Sequence, residues 1–205
     1  MRHIIILVAF LVLVTASGCG LITDADEDEA TSPTPSSSPE ISLSLEDSAD
    51  EVVQALAARD MESVADFVHP HQGLRFSPYT FVTEEHQVFM AEDFPGLLDS
   101  EEVYLWGQYD GSGEPIELTF SEYYEEFVYS SDFANAEEVA VNERLGQGNT
   151  INNIQEFYPE SSFVEYHIPG TTEFGGMDWE SLRLVFIQEE GTWMLVGIVH
   201  DEWTI

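Results

Sequence analysis

The sequence predicts an α+β domain in which a curved antiparallel sheet packs on N-terminal helices, behind a signal peptide and a disordered stalk. Two observations carry the α+β reading. Apolar residues recur at helical spacing just after residue 46, and the last third of the chain is dense in Val, Ile, Phe and Trp. The third observation is that the first 45 residues fit neither pattern.

The chain opens with "MRHIIILVAFLVLVTASGCG". Arg2 and His3 precede an apolar run from Ile4 to Val14. That run is too short to cross a hydrocarbon core of ~30 Å comfortably, and it fits a secretory signal peptide over residues 1–18. Ala16, Ser17 and Gly18 lead into Cys19, the single cysteine, in a pattern that resembles the bacterial lipoprotein box. The resemblance implies a diacylglyceryl group on Cys19, which becomes the new N-terminus after cleavage. The lipid bilayer is then a partner, and the protein sits on a cell membrane facing outside the cytoplasm. Residues 19–45 follow as a linker, acidic and then rich in Ser, Thr and Pro, with too little apolar surface to offset the entropy of ordering.

Residues 46–205 are read as one domain, large enough to bury a core without disulfides. Val52, Val53, Leu56 and Ala57 mark a first helix with an acidic start, and Asp60 caps a second that carries Val64, Phe67 and Val68 inward. Pro70 and Gly73 end it. "GLRFSPYTFV" is extended, and "VYLWGQYDGSGEPIELTF" holds a strand, a Gly-rich loop and a second strand. "TFSEYYEEFVY" offers a helix, "AEEVAVNERLGQGNT" a strand and a turn, and "INNIQEFYP" a short helix stopped by Pro159. "SSFVEYHIP", "DWESLRLVFIQ" and "TWMLVGIVHDEW" are three strands.

The joint Glu189-Glu190-Gly191 sets the register of the last two strands. A two-residue turn needs φ > 0 at Glu190, which a glutamate resists. The expectation is therefore a type I turn with Gly191 in a left-handed bulge, Gln188 opposite Thr192 and Glu180 opposite His200. Leu182, Leu184 and Phe186 then share a face with Met194, Val196, Ile198 and His200. Arg183 and Val185 share the other with Leu195, Val199 and Asp201. Both faces are largely apolar, so the sheet is covered on one side and curved around a pocket or partner on the other.

Forty acidic residues face five basic ones, all arginine, for a net charge of −35. Phosphate recognition needs clustered Lys and Arg, so nucleic acid is excluded as a partner. Self-repulsion on this scale is relieved by salt, and the absence of lysine points to a saline exterior.

Several clusters bear on chemistry. Glu165 and His167 share a face of their strand, and Glu180 and His200 share a face in the expected register. Together they offer acid and base groups, or two carboxylates and two imidazoles for a metal. The bland reading has local histidine pairs and solvated glutamates, and no metal is assigned. Arg183 either pairs with a carboxylate or waits in a cup for an anionic ligand. His69-Pro-His71 is half a metal site. "DGSGE" (Asp110–Glu114) lacks the remaining ligands of a calcium loop, and "GQGNT" (Gly146–Thr150) lacks the lysine of a phosphate loop. There is no G-x-S-x-G or H-E-x-x-H motif, and nothing calls for a cofactor.

Two helices ending in "HP..G", then strands interrupted by a helix, then "W.LVGI.HD.W" resemble the nuclear transport factor two superfamily. That resemblance implies a cone-like fold, a curved antiparallel sheet wrapped around helices. "HPHQGLRFSPY", "WGQYDGSGEPIELTF", "GQGNTINNI", "GMDWESLRLVF" and "WMLVGIVHDEWTI" resemble a family of uncharacterised bacterial exported lipoproteins, which implies architecture and address without an activity. The functional expectation is a lipid-anchored binding or interaction module at the cell envelope. A small molecule or an envelope protein is its partner, and Glu165, His167, Glu180, Arg183 and His200 are ligand contacts. Two alternatives stand beside it: a hydrolase or isomerase using a His–carboxylate pair in a cup, and a structural envelope protein.

Overall fold

The computed structural model describes residues 42–204. The signal peptide, Cys19 and nearly all of the linker lie outside the described residues. Among those described, no helix is long and apolar enough to cross a membrane.

The domain is α+β and cone-like. The elements are α1 (Leu45–Ala57), α2 (Met61–Ala65), β1 (Leu74–Ser77), β2 (Val88–Phe89), β3 (Val103–Gln108), β4 (Pro115–Thr119), α3 (Phe120–Tyr123), β5 (Glu138–Val141), α4 (Ile154–Phe157), β6 (Ser162–Ile168), β7 (Glu180–Glu189) and β8 (Thr192–Glu202). Six strands form a sheet in the order β2-β1-β8-β7-β6-β5, and β3-β4 forms a separate hairpin. The large sheet is antiparallel except where β1 runs parallel to β8.

Capping starts the helices where the sequence places them. Ser44 accepts from Asp47 N at the head of α1, and Asp60 accepts from Ser63 N at the head of α2. Thr119 and Glu122 form a reciprocal capping box at α3. That helix continues as a π-helical turn over Tyr124–Val128, with Tyr129 N donating to Tyr124 O at 2.8 Å.

One face of the sheet carries Leu182, Leu184, Phe186, Leu195 and Ile198 against α1, α2 and an aromatic cluster. Trp106 stacks on Tyr123 at 3.8 Å, and Phe76 meets Phe120 edge-on at 5.4 Å. These rings join the β3-β4 hairpin to the sheet without ladder hydrogen bonds between them. The other face carries Phe163, Val185, Val196 and Val199 under Val82, Ile154 and Tyr158. Asn153 fixes that cover, receiving Val82 N at 2.7 Å and donating to Val82 O at 2.8 Å.

The turn between β7 and β8 departs from expectation. It is a two-residue turn with Glu190 at φ 50° and Gly191 at φ 87°, and Glu189 pairs with Thr192. Positive φ at both central residues is the type I′ geometry, whose twist matches a long hairpin. The ladder of a ten-residue and an eleven-residue strand outweighs the local cost at Glu190. A second feature then restores the parity. Val185 pairs with Gly197 and Phe186 with Leu195, so Val196 is an extra residue in a bulge. Beyond it Leu182 pairs with His200, and Glu180 pairs with Glu202 instead of His200. The far half of the hairpin keeps the expected faces, while Leu195 and Val196 exchange sides.

Candidate functional site

Arg183 lies at the centre of a sealed ionic cluster on three adjacent strands. Glu165 of β6 is its register partner, and Asp201 of β8 is two residues beyond Val199, its partner on the other side. None of the three side chains is more than 1 % exposed. Arg183 Nε donates to Glu165 Oε2 at 2.7 Å, and Nη2 donates to Glu165 Oε1 at 3.1 Å and to Gly146 O at 3.0 Å. Nη1 lies 3.1 Å from Thr80 Oγ1 and 2.8 Å from Asp201 Oδ2. A guanidinium has five N–H groups, and each has an acceptor here. Arg144 Nη2 adds a longer contact to Asp201 Oδ2 at 3.5 Å. Two carboxylates thus meet two guanidinium groups, and the cluster is charge-balanced.

The two acids respond differently. Burial pushes Glu165 up, but the hydrogen bonds and charge of Arg183, with the Gly146 N–H at 2.8 Å, hold it below its ordinary range. Burial pushes Asp201 up, and Arg183 and Arg144 oppose that only in part. With every donor of Arg183 taken, the cluster clamps three strands to the loop around Gly146. It offers no open position to a ligand.

The other expected contacts divide between the two faces. His167 shares the face of Glu165, and its Nδ1 lies 2.8 Å from Ser181 Oγ. With Gln147, Gly170, Gly176 and Trp179 it lines a hollow of about 300 Å³. Ser181 is fully buried, so its hydroxyl is no accessible nucleophile. Glu180 and His200 are on the opposite face. Glu180 Oε2 accepts from Ser130 Oγ at 2.6 Å and Ser131 Oγ at 2.8 Å. His200 is 1 % exposed, stands edge-on to Phe127 at 5.8 Å, and keeps Nε2 3.9 Å from Glu202 Oε2. Its Nδ1 has no hydrogen-bond partner among the described residues. The quartet Glu165, His167, Glu180 and His200 is therefore not assembled, because the sheet lies between its halves.

His69 Nδ1 accepts from His71 N and Gln72 N, both at 3.2 Å, and so closes its own turn. In the "DGSGE" loop, Asp110 Oδ2 accepts from Thr204 Oγ1 at 2.6 Å and Thr150 Oγ1 at 3.1 Å. Those bonds, the Thr204 bond foremost, hold the Asp110 carboxyl below its ordinary range. Among the described residues no three His, Cys, Asp or Glu side chains converge as a metal site would require.

A larger opening than the hollow at His167 lies elsewhere. A cleft of about 690 Å³ lies between residues 78–86 and the β3-β4 hairpin, with Tyr79, Phe81, His86, Leu105, Gly107 and Tyr109 among its lining. His86 is its best-defined polar group. Nδ1 receives the Thr83 N–H at 3.4 Å and lies 2.7 Å from Ser77 Oγ. On the long contact from the Thr83 amide, Nδ1 is assigned as the acceptor and the ring proton is placed on Nε2. Burial, with the charge of Arg75, holds the imidazole neutral by lowering its pKa to about 4. Nε2 has no acceptor among the described residues. A Cβ on Gly107 would lie 3.8 Å from it. The missing side chain, on a residue at φ 139° in a break of the β3-β4 register, leaves that donor open to the cleft.

Nothing in the residue pattern singles out His86, which reaches the cleft through a turn of the chain. The signal that was present is Gly107, a lone glycine inside "VYLWGQY", since an isolated glycine in a strand marks a bulge or a close approach.

No protein-family model and no curated protein matches the chain. Among solved structures it is similar to one described as a calcium/calmodulin dependent protein kinase II association domain from Xanthomonas campestris. The identity is 14 % and the TM-score 0.30, with 75 % of this chain and 81 % of that one covered. It is also similar to a DUF4783 family protein from Bacteroides ovatus, at 11 % identity and TM-score 0.29, covering 76 % of this chain and 94 % of that one. A variant of a protein named Rd1NTF2_05 aligns at 9 % identity and TM-score 0.28, over 73 % of this chain and 90 % of that one.

Proposed function

We propose that the chain is a binding module held on the outside of a cell membrane by lipidated Cys19, with the cleft beside His86 as its binding surface. One observation carries the choice of surface. The ionic groups that could do acid–base work are closed on one another, while the cleft presents aromatic rings and an unpaired N–H to solvent. A concave, largely apolar opening with a few fixed polar groups is the usual form of a small-molecule site. Glu165 and Arg183 serve this module by holding its frame.

Amide chemical shifts of the full-length protein, recorded in 2 M NaCl against a panel of neutral, cationic and anionic small molecules, test the cleft. Shifts centred on Gly107 and His86 are expected. Shifts confined to other surfaces, or none, would remove the cleft from consideration. The anchor is tested separately: Cys19→Ser should release the protein from the membrane fraction, and its retention there would refute lipidation.

A further inference from the structure

The geometry points to a neutral pyranose sugar as the ligand of the cleft beside His86. The inference rests on the binding reading above and names the chemistry that reading leaves open.

The lining gives an anion no counter-charge, and it gives a cation few free carboxylate oxygens. No Lys or Arg lines the cleft. Arg75, close to His86, donates to the carbonyls of Thr83 at 3.1 Å, Glu84 at 3.1 Å and His86 at 2.8 Å. A phosphate or carboxylate would therefore meet no counter-charge, in a protein whose net charge is −35. A cation would need open carboxylates. Asp110 already accepts from Thr204, Thr150 and Gly111 N, which leaves Glu85 as the only other acid in the lining.

What remains is a mixed lining, in which ring surface lies among hydroxyl, amide and imidazole groups. Tyr79, Phe81 and Tyr109 supply ring surface, and Phe81 is 47 % exposed. Thr83, Gln108 and Ser112 supply hydroxyl and amide groups, and His86 supplies a fixed N–H donor. A pyranose matches both halves. Its C–H face packs on an aromatic ring, and its hydroxyls both donate and accept. A donor already fixed by Ser77 and Thr83 loses little freedom on binding. Stacking and neutral hydrogen bonds also survive high salt, where screening removes long-range attraction between exposed charges.

The test is a titration of the full-length protein, in a polyoxyethylene detergent and 2 M NaCl, followed by amide shifts. The probes are cellobiose, maltose and N,N′-diacetylchitobiose, with glucuronate and tetramethylammonium as charged comparators. At least one neutral disaccharide is expected to move the Gly107 and His86 amides saturably, and glucuronate to bind at least about tenfold more weakly. Phe81→Ser, on an exposed side chain, and His86→Leu should each weaken the sugar about tenfold or more, with near-ultraviolet circular dichroism unchanged for Phe81→Ser. Binding of tetramethylammonium at the same amides with no sugar response would overturn the sugar while leaving the cleft a binding site. No response at those amides to any probe would overturn both. Sugar binding that Phe81→Ser leaves intact would place the sugar elsewhere and overturn this inference alone.

Discussion

Arg183 and Glu165 face each other across β7 and β6 with both side chains out of contact with water, joined at 2.7 and 3.1 Å. Removing one partner of a buried pair strands the other charge, at a cost of about 3–5 kcal/mol. Arg183→Met strands Glu165 and leaves Asp201 only its longer contact to Arg144, so the loss should fall within that range. Urea unfolding in 2 M NaCl, followed by tryptophan fluorescence, measures it. A loss below about 1 kcal/mol would show that water enters the cluster and that the clamp is not what holds the three strands together.

Glu190 occupies a left-handed position at φ 50° that asparagine and glycine accept more readily. Glu190→Asn should therefore stabilise the hairpin by about 1 kcal/mol, read as an upward shift of the urea midpoint at unchanged slope. A destabilised variant would mean that the glutamate side chain contributes something the turn geometry does not show.

That turn also shows how far the sequence can be read. Most strands were legible because β-branched and aromatic residues accumulate in them, while the two-residue β2 was not, and the first two helices were legible because their apolar spacing and caps agree. The register was not. A local rule about Glu190 argued for a bulge at the turn, and the structure instead puts the extra residue at Val196, in the middle of β8. Two one-residue shifts returned Arg183 and Asp201 to the expected common face, but the sequence left Arg183 open between a carboxylate partner and a ligand, and it named none of the groups that hold it. Thr80 is 103 residues from Arg183 and Gly146 is 37 away, and no spacing rule joins them. The cleft was illegible for the same reason, since it is formed by two segments that share no pattern.

His86 should leave a signature in the pH dependence of stability. Its pKa is near 6.5 in an unfolded chain and about 4 in the fold. The depressed value means that the unfolded state binds the proton more tightly. The histidine's contribution is complete above about pH 6.5 and is lost as pH falls toward 4, by about 3 kcal/mol at most. The carboxylates titrate over part of the same range, so the informative quantity is wild type minus His86→Leu. That difference should rise from pH 4 to 6.5 and then level off. A flat difference would mean that folding does not lower the pKa of His86 and that the ring is neutral only above about pH 6.5.

Gly146 is held on both sides, its N–H on Glu165 and its carbonyl on Arg183. A Cβ there would collide with the Trp179 ring and with Ser181 Oγ. Gly146→Ala should cost about 1–3 kcal/mol through overpacking and should loosen the loop, seen as faster amide exchange at residues 144–148. Gly113, at φ 71° with nothing within 4 Å of such an atom, isolates the backbone effect. Gly113→Ala should cost only about 1 kcal/mol, the left-handed penalty alone.

Salt should separate the surface from the interior. At 0.1 M the Debye length of about 10 Å lets many of the acidic side chains repel one another, and at 1 M it is about 3 Å. Raising NaCl from 0.1 to 2 M should therefore raise the melting temperature, by about 5 °C or more for a chain of net charge −35. The cluster around Arg183 is closed to ions, so the loss on Arg183→Met should stay the same at both concentrations. Arg59 and Glu125 form the contrasting case, a contact of 3.3 Å with side chains 43 % and 70 % exposed. Arg59→Met should cost little at 0.1 M and nothing measurable at 2 M. If the cost of Arg183→Met instead falls with salt in step with the surface pair, the cluster is open to solvent ions. The clamp would then be only another part of the acidic surface.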